Sequence, residues 1–307
     1  MSIKLELDER YEFYDNETKY GYLNLINQGV IVKKDFYSVS LASKMMHSQS
    51  GWRRYVKILM LWFSVYFIPI HFFAKKTYMK NSNVKVFFMG RSNRKKIIKN
   101  KVIVNSINND KFSKRDFYIR KKIDELGVSP KLLHYTNHYF VEELIENYKT
   151  SGGSDVVTDE VLLFKRFFKT LHITKNNYVN KLLYKINGYA SSSVAGLVIS
   201  KENREGDVVI RISHGDLIHK NIMVTDDRSM IIDFEFCAYR SECYDNYYEK
   251  YYQNRAHFFA QKPTPEIIIY CLERLVLVLS IQSELGVCYE NEIKMMCDYL
   301  SHKENCS

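Results

Sequence analysis

A chain of 307 residues, 46% hydrophobic with scattered charge, can bury one large core or two smaller ones, which excludes a disordered chain. Its net charge of +10 would draw in phosphorylated ligands or anionic lipid. No zinc-finger spacing and no basic helix with interleaved aromatics marks a nucleic-acid groove, so no nucleic-acid partner is expected.

The six cysteines, Cys237, Cys243, Cys271, Cys288, Cys297 and Cys306, include no C-x-x-C pair. Neither a disulfide framework nor a zinc site follows from them. With no signal-peptide pattern at the start, the expected setting is the cytoplasm.

Residues 1–80 are expected to form an N-terminal extension. Strand- or turn-like runs open it (LELDERYEFY, YGYLNLINQGVIVKK), and an uncharged stretch over 58–74 follows, flanked by Arg53, Arg54, Lys57, Lys75 and Lys76. A spanning helix needs about 20 apolar residues, and Pro69 and His71 stand near the end of this run. It is marginal as a span. It suits either a segment lying on the inner face of a membrane or a buried helix.

Residues 81–147 begin with three β-rich runs, VKVFFMG, RKKIIK and KVIVNSI, which predict successive antiparallel strands. A helix is predicted over 113–126, with Ser113 as N-cap and Gly127 as its left-handed end. Pro130 opens another strand-like stretch, and HYFVEELI reads as a further strand. From 148 to 307 the pattern is mainly helical. Apolar residues recur at helical spacing over 159–172. Tyr244, Tyr247, Tyr248, Tyr251 and Tyr252 form a core-facing aromatic stripe. Thr264-Pro265-Glu266 starts a long apolar helix in which Glu266, Glu273 and Arg274 argue against a span. A small β-rich half before a larger helical half outlines a two-lobed α+β protein.

The chemistry concentrates in ISHGDLIHKNIMVTDDRSMIIDFE, residues 212–235. A strand leads into His214-Gly215-Asp216, and Asn221 follows Asp216 by five positions. Two short strands joined at Asp226-Asp227 then end in Asp233. Such a hairpin brings the loop after the first strand beside the end of the last. Phosphoryl transfer needs a carboxylate to orient a hydroxyl and take its proton, and oxygen ligands to hold Mg²⁺ across the phosphates. Asp216 fits the first role, with His214 beside it in the loop; Asn221 and Asp233 fit the second.

HGDLIHKN with IIDFE resembles the signature of the aminoglycoside phosphotransferase and choline kinase superfamily, over roughly residues 84–260. The resemblance implies a two-lobed protein-kinase-like fold, with an antiparallel-sheet N-lobe over 81–147 and a helical C-lobe over 148–307. It implies ATP or another nucleoside triphosphate as donor, Mg²⁺, and a small-molecule or glycan hydroxyl as acceptor. Gly90, Ser92 and Asn93 resemble a reduced phosphate-covering loop. Glu143 and Ile145 fall in the stretch that would offer backbone groups to a purine. Asp116 falls where the family has a helix acid that pairs with the phosphate-binding lysine. FKTLHI resembles the helix ending in Leu-His before the catalytic loop. Tyr244-Asp245 matches the aspartate opening the next helix, read here as a helix cap.

One departure stands out. Asn105 occupies the position of the strand lysine that should contact the phosphates. Lys101 shares its face about 7 Å further back, and Lys99 is another candidate. No activation segment of the protein-substrate kinases follows Glu235. The basic, aromatic N-terminal region points to a cell-envelope glycan precursor as acceptor. The altered clamp leaves room for a binding or scaffold module of the same fold.

Overall fold

The computed structural model describes residues 29–32, 55–56, 59, 86–89, 95–99, 102–107, 110–137, 139–145, 148–150, 158–189 and 197–304. The chain divides into two compact units. The first comprises Met1–Asn109 and Lys131–Asn147, the second Asp110–Pro130 and Tyr148–Ser307. The stretch Asp110–Pro130, grouped by sequence with 81–147, thus belongs with the later residues. Small antiparallel sheets and helices together make an α+β arrangement compatible with a kinase-like fold.

The first unit holds a six-stranded sheet. Its strands are β1 (Gly29–Val32), β2 (Val86–Met89), β3 (Lys95–Lys99), β4 (Val102–Ser106), β5 (Leu132–Tyr135) and β6 (Tyr139–Glu143), in the order β1-β2-β3-β4-β6-β5. Every pairing is antiparallel. Val102 and Ile103 supply β-branched side chains of the kind that such a pleated surface favours. The three successive strands expected after residue 84 are present. The N-terminal extension adds β1 to their edge, with Val32 opposite Val86. Within the uncharged run over 58–74 only Leu59 is described; it is helical and exposed, as are Tyr55 and Val56 just before the run.

The second unit opens with helix α1 (Lys111–Ile123). Its N-cap is Asp110, not Ser113. Asp110 Oδ1 accepts from the backbone N–H of Phe112 and Ser113 at 2.9 and 2.8 Å, and Ser113 Oγ donates back to Asp110 Oδ2. Both residue types cap well, and the one further upstream takes the first turn. A 3₁₀ turn follows and Gly127 ends the element at φ 67°, as expected.

Helix α2 covers only Asp159–Phe167, which corrects the longer helix read from periodicity. Leu171–Thr174 is instead strand β8, paired with β9 (Asp207–Ser213) through Leu171↔Ile210 and His172↔Val209. The FKTLHI segment therefore ends in a strand and not in a helix. Short apolar runs satisfy both periods, and cross-strand pairing decides between them. Helix α3 (Lys175–Asn187) follows β8, and β12 (Ala238–Ser241) closes the order β12-β9-β8. A second small sheet joins β7 (Lys149–Thr150), β10 (Ile222–Val224) and β11 (Ser229–Ile231).

Helices α4 (Tyr244–Gln253), α5 (Arg255–Ala260), α6 (Pro265–Leu285) and α7 (Glu290–Glu304) complete the unit. Thr264 caps α6 through its Oγ1, Pro265 stands in its first turn, and Gly286 ends it at φ 65°. The largest core among the described residues gathers Tyr244, Tyr251, Phe258 and Tyr270 with the apolar face of α6. Two charged residues of α6 are buried in it with partners, as burial of charge requires. Glu273 accepts from Tyr178 Oη and from Ser241 N and Oγ, and Arg274 Nε meets Glu292 Oε1 at 2.6 Å. Among the described residues no helix is long and apolar enough to cross a membrane.

Candidate active site

Strands β10 and β11 pair as a hairpin, Ile222 opposite Ile231 and Val224 opposite Ser229. Thr225 closes its turn, with Oγ1 and N both donating to Arg228 O. Past the last strand pair, Ile232 N donates to Asn221 O at 3.0 Å. That bond sets Asn221 beside the chain that runs into Asp233. Asp233 itself adopts φ 68° and ψ 61°. It is the only residue other than glycine with positive φ among those described. Aspartate tolerates this region better than most residues, yet it is uncommon and concentrates at functional sites.

The loop after β9 comes to the same place. His214 is fully buried, and both ring nitrogens are used. Nε2 lies 2.9 Å from Ile232 O, and Nδ1 faces the backbone N–H of Asp216 at 3.4 Å. A carbonyl only accepts, so the proton sits on Nε2 and Nδ1 is the acceptor. The imidazole thus ties the Asp216 loop to the strand end one residue before Asp233, and its ring packs on Phe234.

Asp216 is half-buried, and its carboxylate is gripped from two sides. Tyr248 Oη donates to Oδ1 at 2.5 Å, and Asn221 Nδ2 donates to Oδ2 at 3.1 Å and to the Asp216 carbonyl at 2.7 Å. Burial raises the carboxyl above its ordinary value; the Tyr248 bond opposes that rise, and the negative Asp233 nearby adds to it. Asn221 spends its amide nitrogen on Asp216, and no hydrogen bond to its Oδ1 forms among the described residues.

The Asn221 amide oxygen and the Asp233 carboxylate, with the Asp216 carboxylate beside them, are oxygen donors of the kind Mg²⁺ takes. That ion takes few protein ligands and leaves the rest to water and phosphate. Among the described residues no group of three or more His, Cys, Asp or Glu side chains is placed to hold a metal.

A buried carboxylate holds the loop from below. Asp245 accepts from Ser213 Oγ at 2.9 Å, His214 N at 3.2 Å, Gly215 N at 3.0 Å and Lys165 Nζ at 3.0 Å. Burial alone would raise its pKa, but Lys165, His214 and the Gly215 N–H outweigh that and hold it at about 2. Asp245 is not the cap of α4: the N-cap position is Cys243, with no side-chain bond. Its first-turn position still favours a negative charge. Gly215 has φ +87°, and a Cβ there would lie 2.3 Å from Phe236 O and 2.8 Å from an Arg240 guanidinium nitrogen. Arg240 is buried, donating to Phe236 O and Ser213 Oγ and lying over the Tyr244 ring.

Asp116 lies buried in α1. Its Oδ1 accepts from Arg120 Nε at 3.1 Å and from the backbone N–H of Phe234 at 3.0 Å. The residue expected to pair with a lysine therefore braces the segment just after Asp233. In the first unit, Asn105 is 1% exposed and its Nδ2 donates to Glu142 Oε1 at 2.9 Å. Asn105 lies opposite Phe140, and Glu142 opposite Ile103, so the two side chains meet diagonally across the ladder. Its amide is thereby occupied. Strand β6 lies between β4 and β5, and the N–H of Glu143 is taken by Lys131 O. Leu144 and half-buried Ile145 are the first residues past the strand end. Gly90, Ser92, Asn93 and Lys101 lie outside the described residues.

The structure thus brings together His214, Asp216, Asn221 and Asp233, all within the second unit. Sequence reasoning missed the parts played by Tyr248, Lys165, Arg240 and Gly215. Only Tyr248 left a signal, as one member of a stripe in which its hydroxyl was indistinguishable from the rest.

Compared with protein-family models and with curated proteins, the chain matches none. Among solved structures it is similar to choline kinase LicA from Streptococcus pneumoniae, at 16% identity and a TM-score of 0.47 over 74% of this chain and 97% of that one. It is also similar to a choline/ethanolamine kinase family protein from Mesorhizobium loti, at 13% identity and a TM-score of 0.38 over 69% and 84% of the two chains. Values this low leave any functional assignment to the side chains themselves.

Proposed function

We propose that this chain is a phosphotransferase that moves the γ-phosphoryl group of ATP, or another nucleoside triphosphate, to a hydroxyl of a small molecule or sugar. The observation that carries the reading is the joint placement of Asp216, Asn221 and Asp233 at the mouth of one hairpin, with Asn221 bonded to Asp216. Asp216 would orient the attacking hydroxyl and receive its proton as the new O–P bond forms. Asn221 Oδ1 and the Asp233 carboxylate would hold Mg²⁺, which when bound offsets the charge of the phosphates. His214 would position Asp216, since its Nδ1 accepts from the Asp216 N–H while its Nε2 donates to Ile232 O.

The acceptor suggested by sequence, a sugar of a cell-envelope glycan precursor met at a membrane face, rests on the segment between Arg53 and Lys76. That segment lies almost wholly outside the described residues. A panel of choline, ethanolamine, aminosugars and lipid-linked glycan precursors with Mg-ATP separates this acceptor from soluble alcohols. Asp216→Ala should abolish transfer without unfolding the chain. Asp233→Ala should weaken Mg-ATP binding in calorimetry. Retained turnover in the first variant, or unchanged affinity in the second, would contradict the assignment.

A second reading draws on Asn105. With that side chain buried against Glu142, the position of the expected phosphate lysine has no cation. A nucleotide-binding or scaffold module with a degenerate clamp fits that feature. It predicts Mg-ATP binding without release of ADP.

A further inference from the structure

Tyr248 belongs to the aromatic core by burial, at 6% exposed, yet its hydroxyl is spent on the carboxylate of Asp216. The ring is fixed by its neighbours. Tyr244 stacks on it with the planes 7° apart, and the Arg274 guanidinium lies 4.8 Å from its centroid. Arg274 is itself held by Glu292 at 2.6 Å, in a buried pair joining α6 to α7. Two χ angles locked by packing leave the hydroxyl little choice of direction. It donates to Asp216 Oδ1 at 2.5 Å. The other edge of the same carboxylate meets Asn221 Nδ2 at 3.1 Å.

We infer that Tyr248 is a positioning residue: its hydroxyl fixes the rotation of the Asp216 carboxylate, so that the Oδ2 edge beside Asn221 faces the acceptor. The inference rests on the phosphotransfer reading above. In that reaction the acceptor O–H bond breaks as its oxygen bonds to the γ-phosphorus. The bond from phosphorus to the bridging oxygen breaks with its electron pair leaving on the nucleoside diphosphate, and the proton ends on Asp216 Oδ2. Tyr248 neither gains nor loses a proton. Its burial keeps the phenol protonated, so it remains a donor throughout. Without the hydroxyl, the carboxylate would be held at one edge alone and could turn about its Cβ–Cγ bond. A general base must sit within hydrogen-bond reach of the proton it takes, and small losses of alignment are costly.

A side chain that merely packs would tolerate phenylalanine, which keeps the ring against Tyr244 and Arg274. The test is therefore Tyr248→Phe in the full chain, measured as ADP release from Mg-ATP. Water serves as one acceptor, and whichever of choline, ethanolamine and glucosamine turns over fastest in the wild type serves as the other. The expected result is a kcat lower by roughly 10- to 100-fold, with KM for Mg-ATP and its affinity by calorimetry changed by less than about twofold. A kcat within about twofold of wild type overturns the inference, as does any gain in rate, which would mean that the hydroxyl competes with the acceptor. A fall in kcat accompanied by an equal loss of Mg-ATP affinity also overturns it, since that is the mark of a general structural role. Asp216→Ala separates the two levels. If it turns over normally, the phosphotransfer reading fails and the role of Tyr248 with it. If it is inactive while Tyr248→Phe is normal, only the positioning role fails.

Discussion

Replacing Asp245 by asparagine removes one charge and keeps the shape, which makes it a quantitative probe of the loop that carries Asp216. The carboxylate is 3% exposed and receives four donors, one of them the Lys165 ammonium. Held at about 2 against an ordinary value of 3.8, the ionised form contributes about 2–3 kcal/mol to folding. A depressed folded pKa places that contribution above the unfolded value. It is complete at neutral pH and is lost as pH falls from about 5 to about 2. Asparagine forfeits it at every pH. It also turns an amide N–H toward groups that are donors, at a further cost of about 1–3 kcal/mol that does not vary with pH. In urea denaturation the variant should be about 3–6 kcal/mol less stable than wild type at pH 7. That gap should narrow by about 2 kcal/mol in acid. A gap that stays constant with pH, or a variant as stable as wild type at pH 7, would refute the reasoning.

Two further outcomes follow from buried groups. Gly215→Ala forces a Cβ to within 2.3 Å of Phe236 O at φ +87°, and should cost about 2–5 kcal/mol with loss of Mg-ATP turnover; a melting temperature within about 2 °C of wild type would show that the loop yields. Burial pushes the Glu273 carboxyl up to about 7, against hydrogen bonds from Tyr178 and Ser241 that favour its charged form. Because the folded value is raised above the ordinary 4.5, the stability it confers is full below about pH 4.5 and is lost by about pH 7, a change of about 3 kcal/mol. Glu273→Gln should lack that slope in denaturation curves taken across this range, and parallel curves would count against it.

The site was legible in the sequence where its geometry is local. Asp216 and Asn221 share one loop, and the β10–β11 hairpin with its Asp226-Asp227 turn delivers Asp233 to the same place. Spacing alone could suggest that meeting. What holds the loop was not legible, because Asp245 reaches Ser213, His214 and Gly215 across some thirty positions and Lys165 across eighty. No local pattern records such bonds, so Asp245 read as a helix cap. Tyr248 was placed correctly in the core stripe, yet periodicity gives a face and says nothing of where a hydroxyl ends. The overlong helix over 159–172 has a similar cause. Neither glycine nor proline interrupts the run after Phe167, and its end is set by pairing with β9. Nor was the brace at Asp116 legible, since its bond to the Phe234 N–H spans 118 positions.

The pairing of β1 with β2 bears on where the chain can be shortened. Val32 stands opposite Val86, so the extension supplies a strand to the sheet that residues 86–143 otherwise build. A chain cut before residue 81 would lose that strand and leave the backbone groups of β2 without a partner on that side.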